Sequence, residues 1–84
     1  MKLVFSEHAW AEYLEWQRGD PAVLKRINQL LQETSRDPFQ GIGKPEPLRH
    51  ALQGWWSRRI DGEHRFVYKV VGDQLWIAQL RYHY

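Results

Sequence analysis

Eighty-four residues with no cysteine, 12 Lys and Arg against 10 Asp and Glu and a formal net charge of +2 make a single domain, and they exclude disulfides, thiolate metal sites and a cysteine nucleophile. No apolar run approaches the roughly 20 residues a bilayer requires, and Met1–Phe5 runs straight into Ser6 with no leader pattern, so a cytoplasmic protein is expected. Aromatics make up 14% of the chain, five of them Trp. Each can bury on the order of 150–250 Å², which compensates for the small core. A compact chain of this length should have a radius of gyration of roughly 12 Å.

Lys2-Leu3-Val4-Phe5 reads as a first strand. Ser6 is a good N-cap and Glu7 suits the positive end of a helix. Trp10, Tyr13, Leu14 and Gln17 follow at helical spacing, which predicts a helix with an apolar face through Leu14, closed at Gly19. Asp20-Pro21 starts a second helix as N-cap and first-turn proline. Val23, Leu24, Ile27, Leu30, Leu31 and Thr34 form its buried stripe, and Asp37-Pro38 ends it. The short link at 18–21 predicts an antiparallel helix hairpin.

Residues 38–50 hold three Pro and two Gly, so neither a helix nor a central strand fits. Pro47 makes Glu46 extended. The reading is a stiffened loop that presents Glu46 and Arg49. Three strands follow. The first spans Trp55–Ile60, with Asp61-Gly62 as a two-residue hairpin turn. The second spans His64–Val71, with Gly72-Asp73 as the next turn, and the third begins at Gln74. The whole is an α+β domain, 1–84, with an N-terminal strand and a two-helix hairpin on one face of an antiparallel sheet.

Two-residue turns would place Arg65 opposite Arg58 on one side and Leu80 on the other. One face would then carry Trp56, Arg58, Arg65, Val67, Lys69, Trp76, Ala78, Tyr82 and Tyr84. The other would carry Ser57, Arg59, His64, Phe66, Tyr68, Val70, Leu75, Ile77, Gln79, Arg81 and His83, and its apolar centre assigns it to the helices. This counting puts Arg65 and His83 on opposite faces, and a bulge or a longer turn would reverse that.

Residues 1–40 carry a net charge of −1 and residues 41–84 a net +3, with His50, His64 and His83 also in the second half. An Arg- and aromatic-rich half suits a phosphate-bearing partner; a solvated sheet face accounts for it equally well. The candidates for chemistry are Glu46, Arg65, His83 and Tyr84, with Lys44, Arg49, His50, Arg58 and Arg59 around them. RNA cleavage needs a base for the ribose 2′-OH, cations for charge growing on the phosphate and an acid for the leaving oxygen. A carboxylate and a His are the natural acid–base pair, and Arg grips phosphate bidentately. Spacing alone does not bring these three segments together. Arg58 can pair with Glu63 or bind RNA, Trp10 and Trp16 belong to the core or a dimer surface, and His8 and His64 receive no role.

Met1-Lys2-Leu3, Tyr13-Leu14-Glu15-Trp16-Gln17, Gly43-Lys44-Pro45-Glu46-Pro47-Leu48, Trp56-Ser57-Arg58-Arg59-Ile60, Glu63-His64-Arg65, Val67-Tyr68 and Arg81-Tyr82-His83-Tyr84 together resemble the YoeB toxins of bacterial toxin–antitoxin systems, within the RelE/ParE superfamily. The resemblance covers essentially the whole chain. It implies the RelE-like fold, usually as a homodimer, and a metal-independent endoribonuclease without a cofactor. Such an enzyme cuts mRNA in the ribosomal A site in the bacterial cytoplasm. It also implies a YefM-type antitoxin, with operator DNA bound only through the complex. By that resemblance Glu46 is the general base, His83 the general acid, Arg65 the phosphate-stabilising cation and Tyr84 a residue that orients or stacks the substrate. Lys44, Arg49, His50 and Arg59 are RNA-binding. Arg49 stands where the family would have Lys, Trp55 where it would have Phe and Phe66 where it would have Leu. The alternatives are a gyrase-binding toxin of the ParE branch and a non-catalytic ribosome- or RNA-binding module.

Overall fold

The computed structural model describes residues 1–83. Strand β1 (Lys2–Phe5) leads into helices α1 (Glu7–Gln17) and α2 (Pro21–Arg36). A loop with a short strand β2 (Glu46–Pro47) and a 3₁₀ turn (His50–Leu52) follows, then strands β3 (Trp56–Arg59), β4 (Arg65–Val71) and β5 (Gln74–Gln79). The radius of gyration is 11.7 Å.

Local chemistry sets the helix ends as expected. The Ser6 hydroxyl accepts from the Ala9 amide at 3.0 Å, the Asp20 carboxylate accepts from Ala22 at 2.9 Å, and Pro21 occupies the first turn. The Tyr13 hydroxyl donates to Asn28 across the helix hairpin at 2.7 Å.

The sheet order is β1-β5-β4-β3-β2, antiparallel except that β1 runs parallel to β5. That parallel pair follows from the two helices, which carry the chain from β1 back over the sheet before the last strand forms. Strand β2, on an edge, is the only strand the sequence reading did not include; its Pro47 is tolerated because an edge has an unpaired side.

The core lies between α2 and the sheet. Ile27, Leu30 and Leu31 meet Phe66, Tyr68, Leu75 and Ile77, with Ala9 and Trp16 from α1 and Ile60 and Leu80 closing the ends. Each such aliphatic or aromatic side chain contributes about 1.5–3 kcal/mol by burial. The α2 stripe is the one its spacing predicts.

The α1 face is not. Trp10 is 47% and Leu14 41% exposed, whereas Ala9, Glu12 and Trp16 are buried. Small Ala9 allows close approach to the sheet, and Glu12 and Trp16 satisfy main-chain groups beyond β5. Trp10 instead joins Phe5 and Tyr13 in an aromatic cluster, with centroids 5.4 to 5.7 Å apart.

Candidate active site

Three irregular features decide which side chains meet, and the first is the loop after α2. Arg58 is fully buried, and its guanidinium faces the core rather than solvent. Its Nη2 donates to the carbonyls of Asp37 at 2.6 Å and Gln40 at 2.9 Å, Nη1 to that of Ile42 at 3.0 Å, and Nε to the Tyr68 hydroxyl at 3.1 Å. The Tyr68 hydroxyl in turn donates to the Pro38 carbonyl at 2.6 Å. Burial raises the Tyr68 phenol above its ordinary value, and the Arg58 hydrogen bond and charge partly offset this. One cation thus collects main-chain acceptors from 37–42. The expected partner Glu63 is not among those bonds, so Arg58 is a structural residue.

The Gly43 carbonyl then accepts the Arg59 amide at 2.7 Å, and Gly43 takes φ +82° where a Cβ would stand 2.9 Å from Leu30 Cδ2. Lys44 also has positive φ (52°), and Glu46 pairs with Ser57. The loop delivers Glu46 on the edge strand.

The second feature is the turn between β3 and β4. Asp61-Gly62 does not make a two-residue hairpin. Arg59 pairs with Arg65, and Ile60 donates to the His64 carbonyl at 3.0 Å, so Asp61, Gly62 and Glu63 form the loop. The Asp61 carboxylate accepts from the amides of Glu63 at 2.9 Å and His64 at 2.6 Å, which wraps one residue more than a tight turn. Burial works against the Asp61 charge, but those two amides and the nearby His64 and Arg65 hold its carboxyl below the usual 3.8.

That extra residue moves β3 by one place. Arg58 pairs with Phe66 on the core face, and Ser57 and Arg59 join Arg65 and Val67 on the other. The expected face assignment of β3 is therefore reversed, because side chains alternate with a period of two.

The third feature is a bulge in β5. Tyr68 pairs with Ile77 but Val67 pairs with Gln79, which leaves Ala78 as the extra residue. Its carbonyl accepts the Ser6 hydroxyl at 3.3 Å. Glu46, Ser57, Val67 and Gln79 now form one cross-strand row through β2, β3, β4 and β5, with Arg59 and Arg65 as the adjacent pair on the same face. Two guanidinium-bearing residues directly opposite one another repel unless an anion or carboxylate lies near them. Arg65 is 9% exposed and its Nη1 donates to the carbonyls of Asp61 at 2.8 Å and His64 at 3.1 Å; Arg59 is exposed.

Beyond β5 the chain continues as an arm held by side chains. Leu80 has its amide accepted by Glu12 at 2.8 Å and its carbonyl bonded by the Trp16 indole at 2.9 Å. These residues sit one helical turn apart and read the main chain as a neighbouring strand would. Arg81 lies over the Trp16 ring at 4.7 Å and pairs with Glu15 at 2.8 Å.

Tyr82 has φ 63°, a left-handed conformation that costs a bulky residue on the order of 1–3 kcal/mol. It is fixed at both ends. Its amide donates to His64 Nδ1 at 2.8 Å, and its carbonyl accepts from the Arg65 amide at 3.0 Å and from Gln79 Nε2 at 2.9 Å. His83, the next residue, is exposed. The chain at Tyr82 is thus bonded to the Arg65 main chain, a contact that unbroken strand alternation did not predict.

Of the other expected site residues, Lys44, Arg49 and His50 are all exposed on the Glu46 loop, His50 with φ 57°. Tyr84 lies outside the described residues. No group of three His, Asp or Glu side chains able to hold a metal occurs among the described residues, and no helix there is long and apolar enough to cross a membrane. Glu12, Arg58, His64 and Gln79 were missed as residues that build the site. The only signal that could have found them was the excess of polar groups at positions the strand and helix patterns make buried.

The arrangement is a basic face with one carboxylate-bearing edge and a tethered arm that leads to His83, on a fold found in bacterial toxins. The toxin in the RelBE2 toxin–antitoxin complex of Mycobacterium tuberculosis superposes with a TM-score of 0.73 over 98% of this chain and 96% of its own, at 21% identity, which defines the fold class. Residues 5–84 match the YoeB-like toxins of bacterial type II toxin–antitoxin systems. The chain belongs to that family. It is 57% identical to Toxin YoeB of Escherichia coli K12 over the full length of both. A YoeB/ParE toxin from Agrobacterium tumefaciens is 49% identical, with a TM-score of 0.96 over all of both chains. The Staphylococcus aureus YoeB dimer is 42% identical, with a TM-score of 0.92 over 100% of this chain and 98% of that one. The YoeB-YefM complex from the same organism gives 41% identity and 0.91 at the same coverage.

Proposed function

We propose that this toxin is a ribosome-dependent endoribonuclease that cleaves mRNA in the A site and so blocks translation. The observation that carries the reading is the meeting of three segments. Glu46 and the Arg59–Arg65 pair share one sheet face, and the arm leading to His83 is bonded to the Arg65 main chain. Those are the residue types that in-line attack by a ribose 2′-OH requires.

Glu46 takes the 2′-OH proton. Arg65, its guanidinium already oriented by two carbonyls, neutralises charge on the phosphate. His83 protonates the leaving 5′ oxygen, giving a 2′,3′-cyclic phosphate or its hydrolysis product, and Tyr84 orients or stacks the substrate. Lys44, Arg49, His50 and Arg59 hold the RNA backbone by charge. The ribosome supplies the substrate alignment that these residues alone do not. The solved S. aureus relatives, a YoeB dimer and a YoeB-YefM complex, support a homodimer and a YefM-type antitoxin as partners.

The test is primer extension on a defined mRNA incubated with the toxin, with and without translating ribosomes. Cuts within the A-site codon are expected only with ribosomes, and Glu46→Ala and His83→Ala should each slow them by about 10²–10⁴-fold. An intact message with translation blocked would instead indicate a binding inhibitor. An intact message with translation unaffected would turn attention to gyrase.

A further inference from the structure

We infer that His64 is a positioning residue for His83: its bare Nδ1 accepts the Tyr82 amide and thereby fixes the arm from which the catalytic His departs. The inference rests on the reading of His83 as the acid. His64 is 8% exposed and is not placed in the chemical steps above. Its Nδ1 lies 2.8 Å from the Tyr82 nitrogen. An amide nitrogen can only donate, so Nδ1 must be the acceptor, and a neutral ring then carries its proton on Nε2.

The ring cannot swing away. It stands edge-on to Trp16 at 5.0 Å, and its own amide is held by Asp61 at 2.6 Å. The Glu63 carboxylate lies 3.5 Å from Nε2, and the Arg65 guanidinium bonds the His64 carbonyl. Tyr82 is the last residue before His83, and its left-handed φ is not one it would keep unaided. With the amide released, the donors to its carbonyl and the ring contacts with His64 and Arg81 would still hold it, but its nitrogen would lose its acceptor. The main chain from which His83 departs would then be less firmly placed, which weakens proton transfer more than binding.

The experiment compares His64→Asn, whose side-chain oxygen stands near the Nδ1 position, with His64→Leu, of similar bulk but no acceptor. Hydrogen exchange of the Tyr82 amide and cleavage of ribosome-bound mRNA are measured for each. In His64→Leu the Tyr82 amide should exchange about tenfold faster. The cleavage rate constant should fall about 10- to 100-fold with KM unchanged. His64→Asn should restore most of both. Unchanged Tyr82 protection in His64→Leu, equal loss in both variants, or a faster amide with undiminished cleavage would each overturn the inference. If His64→Leu does not fold, the imidazole nitrogen spectrum of the unaltered protein decides: a bare Nδ1 supports the anchor and an Nδ1-protonated ring refutes it. A wild-type protein that leaves ribosome-bound mRNA intact would defeat the nuclease reading, while the exchange and tautomer measurements would still report on the anchor.

Discussion

Two irregular segments bring the candidate site together, and they are held in opposite ways. The loop from Asp37 to Gly43 is gathered chiefly by one buried cation, Arg58, whose guanidinium satisfies three carbonyls and one phenol, with the Tyr68 hydroxyl on Pro38 and the Arg59 amide on Gly43 beside it. The arm from Leu80 to Tyr82 is held by many separate donors and acceptors: Glu12, Trp16, His64, Gln79, Glu15 and the Arg65 amide. One buried side chain that carries most of the bonds makes the loop sensitive to a single substitution. A distributed set makes an arm that loosens by degrees.

The sharpest way to break this contrast is Arg58→Met. It removes the shared donor of the Asp37, Gln40 and Ile42 carbonyls, and unfolding by urea should show a loss of roughly 3–5 kcal/mol. Arg58→Lys should recover less than half of that, because one ammonium cannot reproduce the planar fork. On the arm, Glu12→Leu leaves the Leu80 amide without its acceptor and should cost about 1–3 kcal/mol, with Glu12→Gln milder because an oxygen remains.

Gly43→Ala should lose about 1–2 kcal/mol from positive φ and the approach to Leu30. The same change at Gly72, where nothing lies within 4 Å of a Cβ, should cost less; equal losses would show that the loop is not tightly seated.

The smallest effect concerns acid. Asp61 has a folded pKa below its unfolded value, so the stability it adds is present above about pH 4 and is lost as pH falls through the folded value. Asp61→Asn should remove that part of the acid dependence while leaving the neutral-pH fold intact, as circular dichroism across pH 2–6 would show.

Much of the fold was legible because it depends on neighbours in sequence. Ser6, Asp20 and Pro21 set helix starts through bonds within three residues, and the α2 stripe obeys a helical period. The turn at Gly72-Asp73 gave the β4–β5 register from Val71 to Tyr68. The α1 face was misread because Trp10 and Leu14 look more apolar than Glu12; what buries Glu12 is an amide 68 residues away, and no local pattern encodes that. Arg58 was read as a surface cation for the same reason: its acceptors are carbonyls, which carry no sequence signature.

The amino-acid sequence by itself determined the α+β order, the helix caps, the loop around Glu46 and the chemical types available. Close similarity to YoeB toxins determined the family. Only the tertiary structure decided which of those groups share a face. One additional residue in the Asp61–Glu63 loop and one at the Ala78 bulge each shift a period-two pattern by one place, and such a shift sends every following side chain to the other side of the sheet.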